Sequence, residues 1–161
     1  MTEPTLHLIC GKIAAGKSTL TARLGAAPHT VIVAEDDWLA HLYPGEQNSL
    51  ADYLRNSTRL RSVMGPHLVA LLRAGLSVVL DFPANTLVSR AWMRSVFEQA
   101  GAPHQLHYLE ADDETCKARL RQRNAEGNHH FTVTDEVFDL FTSHFVPPGA
   151  DEGFTLIVHP Q

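Results

Sequence analysis

Short, continuously apolar runs alternate along this chain with stretches whose apolar residues recur every three or four positions. Five runs are compact: Leu6–Cys10, Thr30–Ala34, Leu76–Asp81, Gln105–Glu110 and Phe154–Val158. Apolar runs of this length suit strands buried on both faces. Thr19–Leu24 holds good helix formers and stops at Gly25. From about Ser49 to Ala74, residues such as Leu50, Tyr53, Leu60, Met64, Leu68 and Leu72 keep a helical period, and Gly65-Pro66 predicts a kink or a division into two helices. A further helix is expected from about Leu87 to Ala100, with Trp92, Val96 and Phe97 on its apolar side and Arg90 and Arg94 on other faces. Another spans about Asp113 to Arg123, and the last opens with Thr134 as its cap. Strands and helices in strict alternation predict a mostly parallel sheet covered by helices on both faces, an α/β fold in which residues 1–161 form a single domain.

Between the first strand and the first helix stands Gly11-Lys12-Ile13-Ala14-Ala15-Gly16-Lys17-Ser18. This is G-x-x-x-x-G-K-S, the phosphate-binding loop pattern, in the strand–turn–helix context the motif requires. Glycines at both ends let the backbone curl so that successive N–H groups face phosphate oxygens, and the helix that follows adds its positive end. The expected nucleotide-binding set is Gly11, Ala14, Ala15, Gly16, Lys17, Ser18 and Thr19. Lys17 would reach the β/γ-phosphates, and the Ser18 hydroxyl would ligate Mg²⁺.

Carboxylates stand at two strand ends. The second strand runs into Glu35-Asp36-Asp37. Ligands bind at the carboxyl ends of strands in open α/β sheets. One of the three acids is expected to cap the turn Trp38–Leu42, and another to orient or deprotonate an acceptor hydroxyl. The third strand ends in Asp81 after four apolar residues, a pattern in which the carboxylate holds Mg²⁺ directly or through its water. Arg55, Arg59 and Arg61 lie on the long helix, either on a solvated face or with one or two of them gripping an anionic substrate. Arg119, Arg121 and Arg123 precede Asn124-Ala125-Glu126-Gly127-Asn128-His129-His130, which is polar and aperiodic. That stretch, about 124–132, is expected to be a lid that closes over a triphosphate; a solvated helix end is the plainer alternative.

Composition narrows the partners. The 161 residues are 44% hydrophobic and 19% charged, with a net charge of −5. Such a balance suits a globular protein and argues against tight, sequence-independent nucleic-acid binding. No apolar run approaches a membrane span, and the N-terminus lacks the basic and apolar regions of a signal peptide. Cys10 and Cys116 are unclustered, which points to a reduced, cytoplasmic protein.

Taken together, the phosphate loop, Glu35-Asp36-Asp37-Trp38-Leu39, Val78-Val79-Leu80-Asp81-Phe82, Arg119-Leu120-Arg121-Gln122-Arg123-Asn124 and the tail Phe131-Thr132-Val133-Thr134 through Phe145-Val146-Pro147-Pro148 to Asp151-Glu152 resemble one group. These are the small P-loop kinases and ATP-binding proteins akin to chloramphenicol phosphotransferase, zeta toxin and the kinase domain of polynucleotide kinases. The resemblance implies a P-loop NTPase fold, a five-stranded sheet in the order 2-3-1-4-5 and a lid after the fourth strand. It implies that Asp36 is the base, with Asp37 the other candidate, that Arg119 lies near the adenine and that Arg123 lies near the phosphates. Two departures stand out. Pro83-Ala84-Asn85 replaces a glycine- or aromatic-rich turn, and Ala40 and His41 occupy the region where an arginine often follows the base.

The leading expectation is an ATP- and Mg²⁺-dependent kinase that acts on a hydroxyl of a small molecule. Lys17, Asp36 and Arg123 would be catalytic, and Ser18 and Asp81 would hold the metal. The alternatives are a polynucleotide 5′-kinase and an ATP-binding switch without transfer.

Overall fold

The computed structural model describes residues 3–127 and 132–161. Five strands form one parallel sheet: β1 (Leu6–Cys10), β2 (Thr30–Ala34), β3 (Ser77–Pro83), β4 (His104–Glu110) and β5 (Leu156–Pro160). Their order across the sheet is β2-β3-β1-β4-β5. This is the order the resemblance implies. The helices are α1 (Lys17–Gly25), α2 (Glu35–Leu42), α3 (Leu50–Arg73), α4 (Leu87–Ala100), α5 (Asp113–Glu126) and α6 (Asp135–Ser143).

Side-chain alternation along the strands divides the core in two. Leu6, Leu8 and Cys10 of β1 join Val78, Leu80 and Phe82 of β3 in a cluster with Leu60, Met64 and Leu68 of α3 and Met93 and Val96 of α4. Ile9 and Val79 point the other way, toward Leu20 of α1, Cys116 and Leu120 of α5 and Phe138 of α6. β1 and β3 therefore bury both their faces, which is why their runs read as apolar, whereas the edge strand β5 has no fully buried residue.

Three elements depart from the sequence reading. α3 is a single helix of 24 residues that contains Pro66. The proline removes one N–H from the ladder, yet Leu60 and Met64 before it and Leu68, Val69 and Leu72 after it are all buried. Packing on both sides of the proline outweighs the local cost. α2 begins at Glu35 with Ala34 as its N-cap, and no side chain caps it. Glu35, Asp36 and Asp37 are thus the first turn of the helix itself, favoured there by its positive end, and the expected cap among them is not made. Finally, α5 runs on to Glu126, through Asn124 and Ala125, and ends on Gly127 at φ 68°. The segment expected as a lid therefore starts as helix, and its centre, residues 128–131, lies outside the described residues. Thr134 caps α6 as expected, accepting from the Val137 N–H.

Candidate active site

The loop from Gly11 to Gly16 joins β1 to α1. Gly16 has φ 107°, a left-handed conformation that L side chains rarely adopt. A Cβ at Gly11 would stand 3.2 Å from Leu109 Cβ and 3.3 Å from Ala15 Cβ, tight enough that the neighbours would have to shift by a few tenths of an ångström. Ala14 also takes a positive φ, 64°, in a region rarely used outside glycine. Such backbone strain collects at ligand clamps. Ala15 N–H donates to Lys12 C=O, closing the turn.

Lys17 folds back over this loop. Its Nζ donates to Gly11 C=O at 2.9 Å and Lys12 C=O at 3.0 Å. Burial pushes its ammonium below the ordinary lysine value, while Asp81 and Asp36 pull the other way and Arg123 adds to the depression. Four charged groups from β3, α1, α2 and α5 thus converge at the carboxyl end of the sheet. Asp81 is held above the usual carboxylate range by burial, opposed by Lys17 and reinforced by Asp36 and Asp37. Arg123 is lowered by burial and supported by Asp36. Its buried Nε has no hydrogen-bond partner among the described residues. Ser18 and Thr19 are exposed in the first turn of α1.

Arg119 lies on the neighbouring side. Its Nη1 donates to Ala15 C=O at 3.2 Å and to Gln161 Oε1 at 3.4 Å. With Gly16, Thr19, Leu109, His159 and Pro160 it lines an open cleft of about 550 Å³. Arg121 takes no part, since it pairs with Asp135 on the surface at 2.9 Å.

Three residues take roles the sequence reading did not give them, and Arg90, expected off the apolar side of its helix, is buried with Met93 and Phe97. Asn85 clamps the phosphate loop: its Oδ1 accepts from the Gly11 N–H at 3.0 Å, and its Nδ2 donates to Gly11 C=O at 2.9 Å. The β1–β3 register shifts after Leu8, and Ile9 stands opposite Pro83. Proline has no N–H to give, so an asparagine side chain continues the pairing one step on. Arg90 is 1% exposed. It donates to Glu152 Oε1, Ala84 C=O and Val146 C=O, each at 2.8 Å, and ties the loop after β3 to the C-terminal tail. Its position on the stripe Arg90-Met93-Phe97 was the available signal. Glu35 is 1% exposed and accepts from Tyr53 Oη at 2.6 Å and Ser57 Oγ at 2.8 Å. Burial raises its carboxyl above the usual range in spite of both bonds. Glu35 and Leu39, four residues apart, share the inward face of α2. Through Glu35, the helix that carries Asp36 is pinned to α3.

Cys10 is buried beneath the site, and burial pushes its thiol up to about 12. It stays a thiol at neutral pH and acts as core.

A family model described as an AAA domain matches residues 6–148. The chain belongs to this AAA domain family. No curated protein matches it in sequence. Solved structures share its fold. An APS kinase from Mycobacterium tuberculosis, in complex with AMPPNP and APS, matches with a TM-score of 0.62 at 22% identity, covering 99% of this chain and 90% of that one. A gluconokinase from Sinorhizobium meliloti matches at 0.66 and 13% identity, covering 99% and 84%. The Pnkp1/Rnl/Hen1 RNA repair complex contains a chain that matches at 0.70 and 19% identity, covering 89% and 44%. The likeness establishes a P-loop NTPase fold and agrees with the resemblance to small P-loop kinases. No helix among the described residues is long and apolar enough to cross a membrane.

Proposed function

We propose that this protein is an ATP- and Mg²⁺-dependent phosphotransferase that acts on a hydroxyl group of a small molecule. The observation that carries the reading is the meeting of Lys17, Asp36, Asp81 and Arg123 beside a strained phosphate loop. Phosphoryl transfer demands this set: backbone donors and cations for the phosphates, an oxygen ligand for a metal, and a carboxylate for the nucleophile. The likeness to an APS kinase bound to a nucleotide analogue and to a gluconokinase supports it.

In this reading the backbone of Gly11, Ala14, Ala15 and Gly16, with Ser18 and Thr19, cradles the triphosphate. Lys17 neutralises the β/γ oxygens, and Arg123, whose Nε has no described partner, faces the transferring group. Arg119 flanks the cleft of about 550 Å³, which suits the adenine base. The Ser18 hydroxyl and the Asp81 carboxylate are hard oxygen donors of the kind Mg²⁺ takes, usually one or two from protein with the rest from phosphate and water. They would hold that ion, which supplies charge neutralisation across the β- and γ-phosphates. Asp36 accepts the proton of the attacking hydroxyl. The buried, free Cys10 and Cys116 fit a reduced cytoplasmic setting.

Asp36→Asn keeps the size of the side chain and removes its basicity. Transfer from labelled ATP should fall by about 10²–10⁴-fold, the usual loss of general-base assistance, with nucleotide affinity little changed. Asp37→Asn, made in parallel, separates the two candidates. Wild-type transfer in both singles and in the double variant would overturn the assignment. A polynucleotide 5′-kinase is the second reading, favoured by the likeness to a chain of the RNA repair complex. Labelled product on a 5′-hydroxyl oligonucleotide would select it.

A further inference from the structure

Three arginines on α3 were candidates for holding an anion, and their surroundings differ. Arg55 is exposed and pairs with Asp52 at 3.1 Å, and Arg59 is exposed. Arg61 is partly buried. Its Nη2 reaches Ser89 Oγ at 3.2 Å. Its guanidinium lies 5.3 Å from the centre of the Trp92 ring. Its Nε is buried and has no hydrogen-bond partner among the described residues.

The carboxylate that influences it does not pair with it. Glu35 feels the charge of Arg61, but its two oxygens are taken by Tyr53 and Ser57. Among the described residues Arg61 makes no salt bridge. The guanidinium is also fixed in place. Ser89 is held in turn by Thr86, the N-cap of α4, whose Oγ1 donates to Ser89 Oγ at 3.0 Å. Beside it lies a cavity of about 250 Å³, lined by Arg61, Ser62, Gly65, Trp92, Ser95 and Gln99. That is room for several waters or a small polyatomic group. A partly desolvated, oriented cation with no carboxylate partner costs stability unless an anion completes it.

We propose that Arg61 is the anion-recognition centre of the acceptor site, binding a phosphate, sulfate or carboxylate group on the molecule whose hydroxyl Asp36 serves. The inference rests on the phosphotransferase reading. Glu35 links the two halves: it accepts from Ser57, one helical turn before Arg61 on α3, and Asp36 follows it directly on α2. Planar guanidinium forks suit exactly such oxyanions, two parallel donors to two oxygens. An acceptor lacking the anionic group would leave Arg61 unsatisfied and be rejected, since a site built to pair a polar group discriminates strongly against its absence.

Trp92 supplies the readout. Trp38 is the only other tryptophan, and it is exposed on α2. Trp38→Phe leaves Trp92 as the sole indole beside the proposed site. Inorganic sulfate is titrated into the full chain with Mg²⁺ and a non-hydrolysable ATP analogue at saturation, and again in a Lys17→Ala background. The expected result is a saturable Trp92 fluorescence change in both, weakened at least about tenfold by Arg61→Gln, on the scale of a lost charge-assisted hydrogen bond. Arg61→Lys, which keeps the charge but not the fork, should fall between and carries the test if the glutamine variant does not fold. A response that survives Arg61→Gln, or that vanishes with Lys17→Ala alone, or no saturable response at all, overturns the proposal. The phosphotransferase reading fails separately, through unchanged transfer in the Asp36 and Asp37 variants, while the sulfate response still decides Arg61.

Discussion

The loop after β1 and the loop after β3 stand side by side at the carboxyl end of the sheet, and they are built in opposite ways. The first is eight consecutive residues, Gly11 to Ser18, shaped by its own backbone turns and by one lysine bonded to carbonyls five and six residues away. The second is assembled from distant segments. Asn85 reaches across to Gly11, and Arg90 gathers Ala84, Val146 and Glu152. A local loop stores its geometry in glycine positions and backbone strain. An assembled one stores it in buried side-chain bonds that exist only once the tail has docked. Mutations should therefore separate function from stability cleanly between them.

The largest effect is expected at the assembled loop. Arg90→Ala leaves the Ala84 and Val146 carbonyls without this donor and the Glu152 carboxylate with only the Gly149 N–H among the described residues. Breaking a buried ion pair from one side costs roughly 3–5 kcal/mol, and the partial exposure of Glu152 places this case near the lower end, about 3 kcal/mol. Denaturant unfolding measures it. A loss below about 1 kcal/mol would show that the loop after β3 holds itself, and the contrast would collapse.

The local loop should respond the other way. Lys17→Ala should lower phosphotransfer at least about 10²-fold, the scale of a lost preorganised charge. Stability should hold or rise, because burial already works against the Lys17 charge. A drop in unfolding midpoint as large as that of Arg90→Ala would mean that Lys17 is structural.

A smaller effect sharpens the comparison by locating pH sensitivity away from both loops. His7, His107 and His159 form a ladder across β1, β4 and β5, with ring nitrogens 3.1 and 3.0 Å apart. Burial, then the neighbouring His7, His159 and Arg23, lowers His107 to about 4 from its ordinary 6.5. A depressed folded-state value means stability that is present above the unfolded value and lost as pH falls through the folded one. Stability should thus decline between about pH 6.5 and pH 4, by an amount on the order of 2 kcal/mol. His107→Gln should flatten that slope when unfolding is followed against pH. An unchanged slope would place the acid sensitivity elsewhere.

What could be read from the chain follows from the same distinction. The phosphate loop, the acids Asp36 just after β2 and Asp81 late in β3, and the Thr134 cap each depend on neighbours within a few residues, so residue type and spacing were enough. Periodicity found every strand and the longer helices, but it read α2 only as a turn and misjudged α3, because a proline's local cost is legible while the packing of Leu60, Met64 and Leu68 that overrides it is not. The same limit hid Glu35, Asn85 and Arg90. Polar residues on an inward stripe look like exceptions until their partners are known.

By itself the sequence determined the alternation of elements, and hence a parallel sheet covered on both faces, together with a phosphate loop opened and closed by glycines. Only the tertiary structure decided which of three α3 arginines is partly buried, which acid is locked to Tyr53 and Ser57, and how Asn85 and Arg90 hold the loop after β3. The reason is range. Backbone conformation and burial period are set by residues a few positions apart. The partners of a buried charge are chosen by how strands and helices tens of residues apart come to pack.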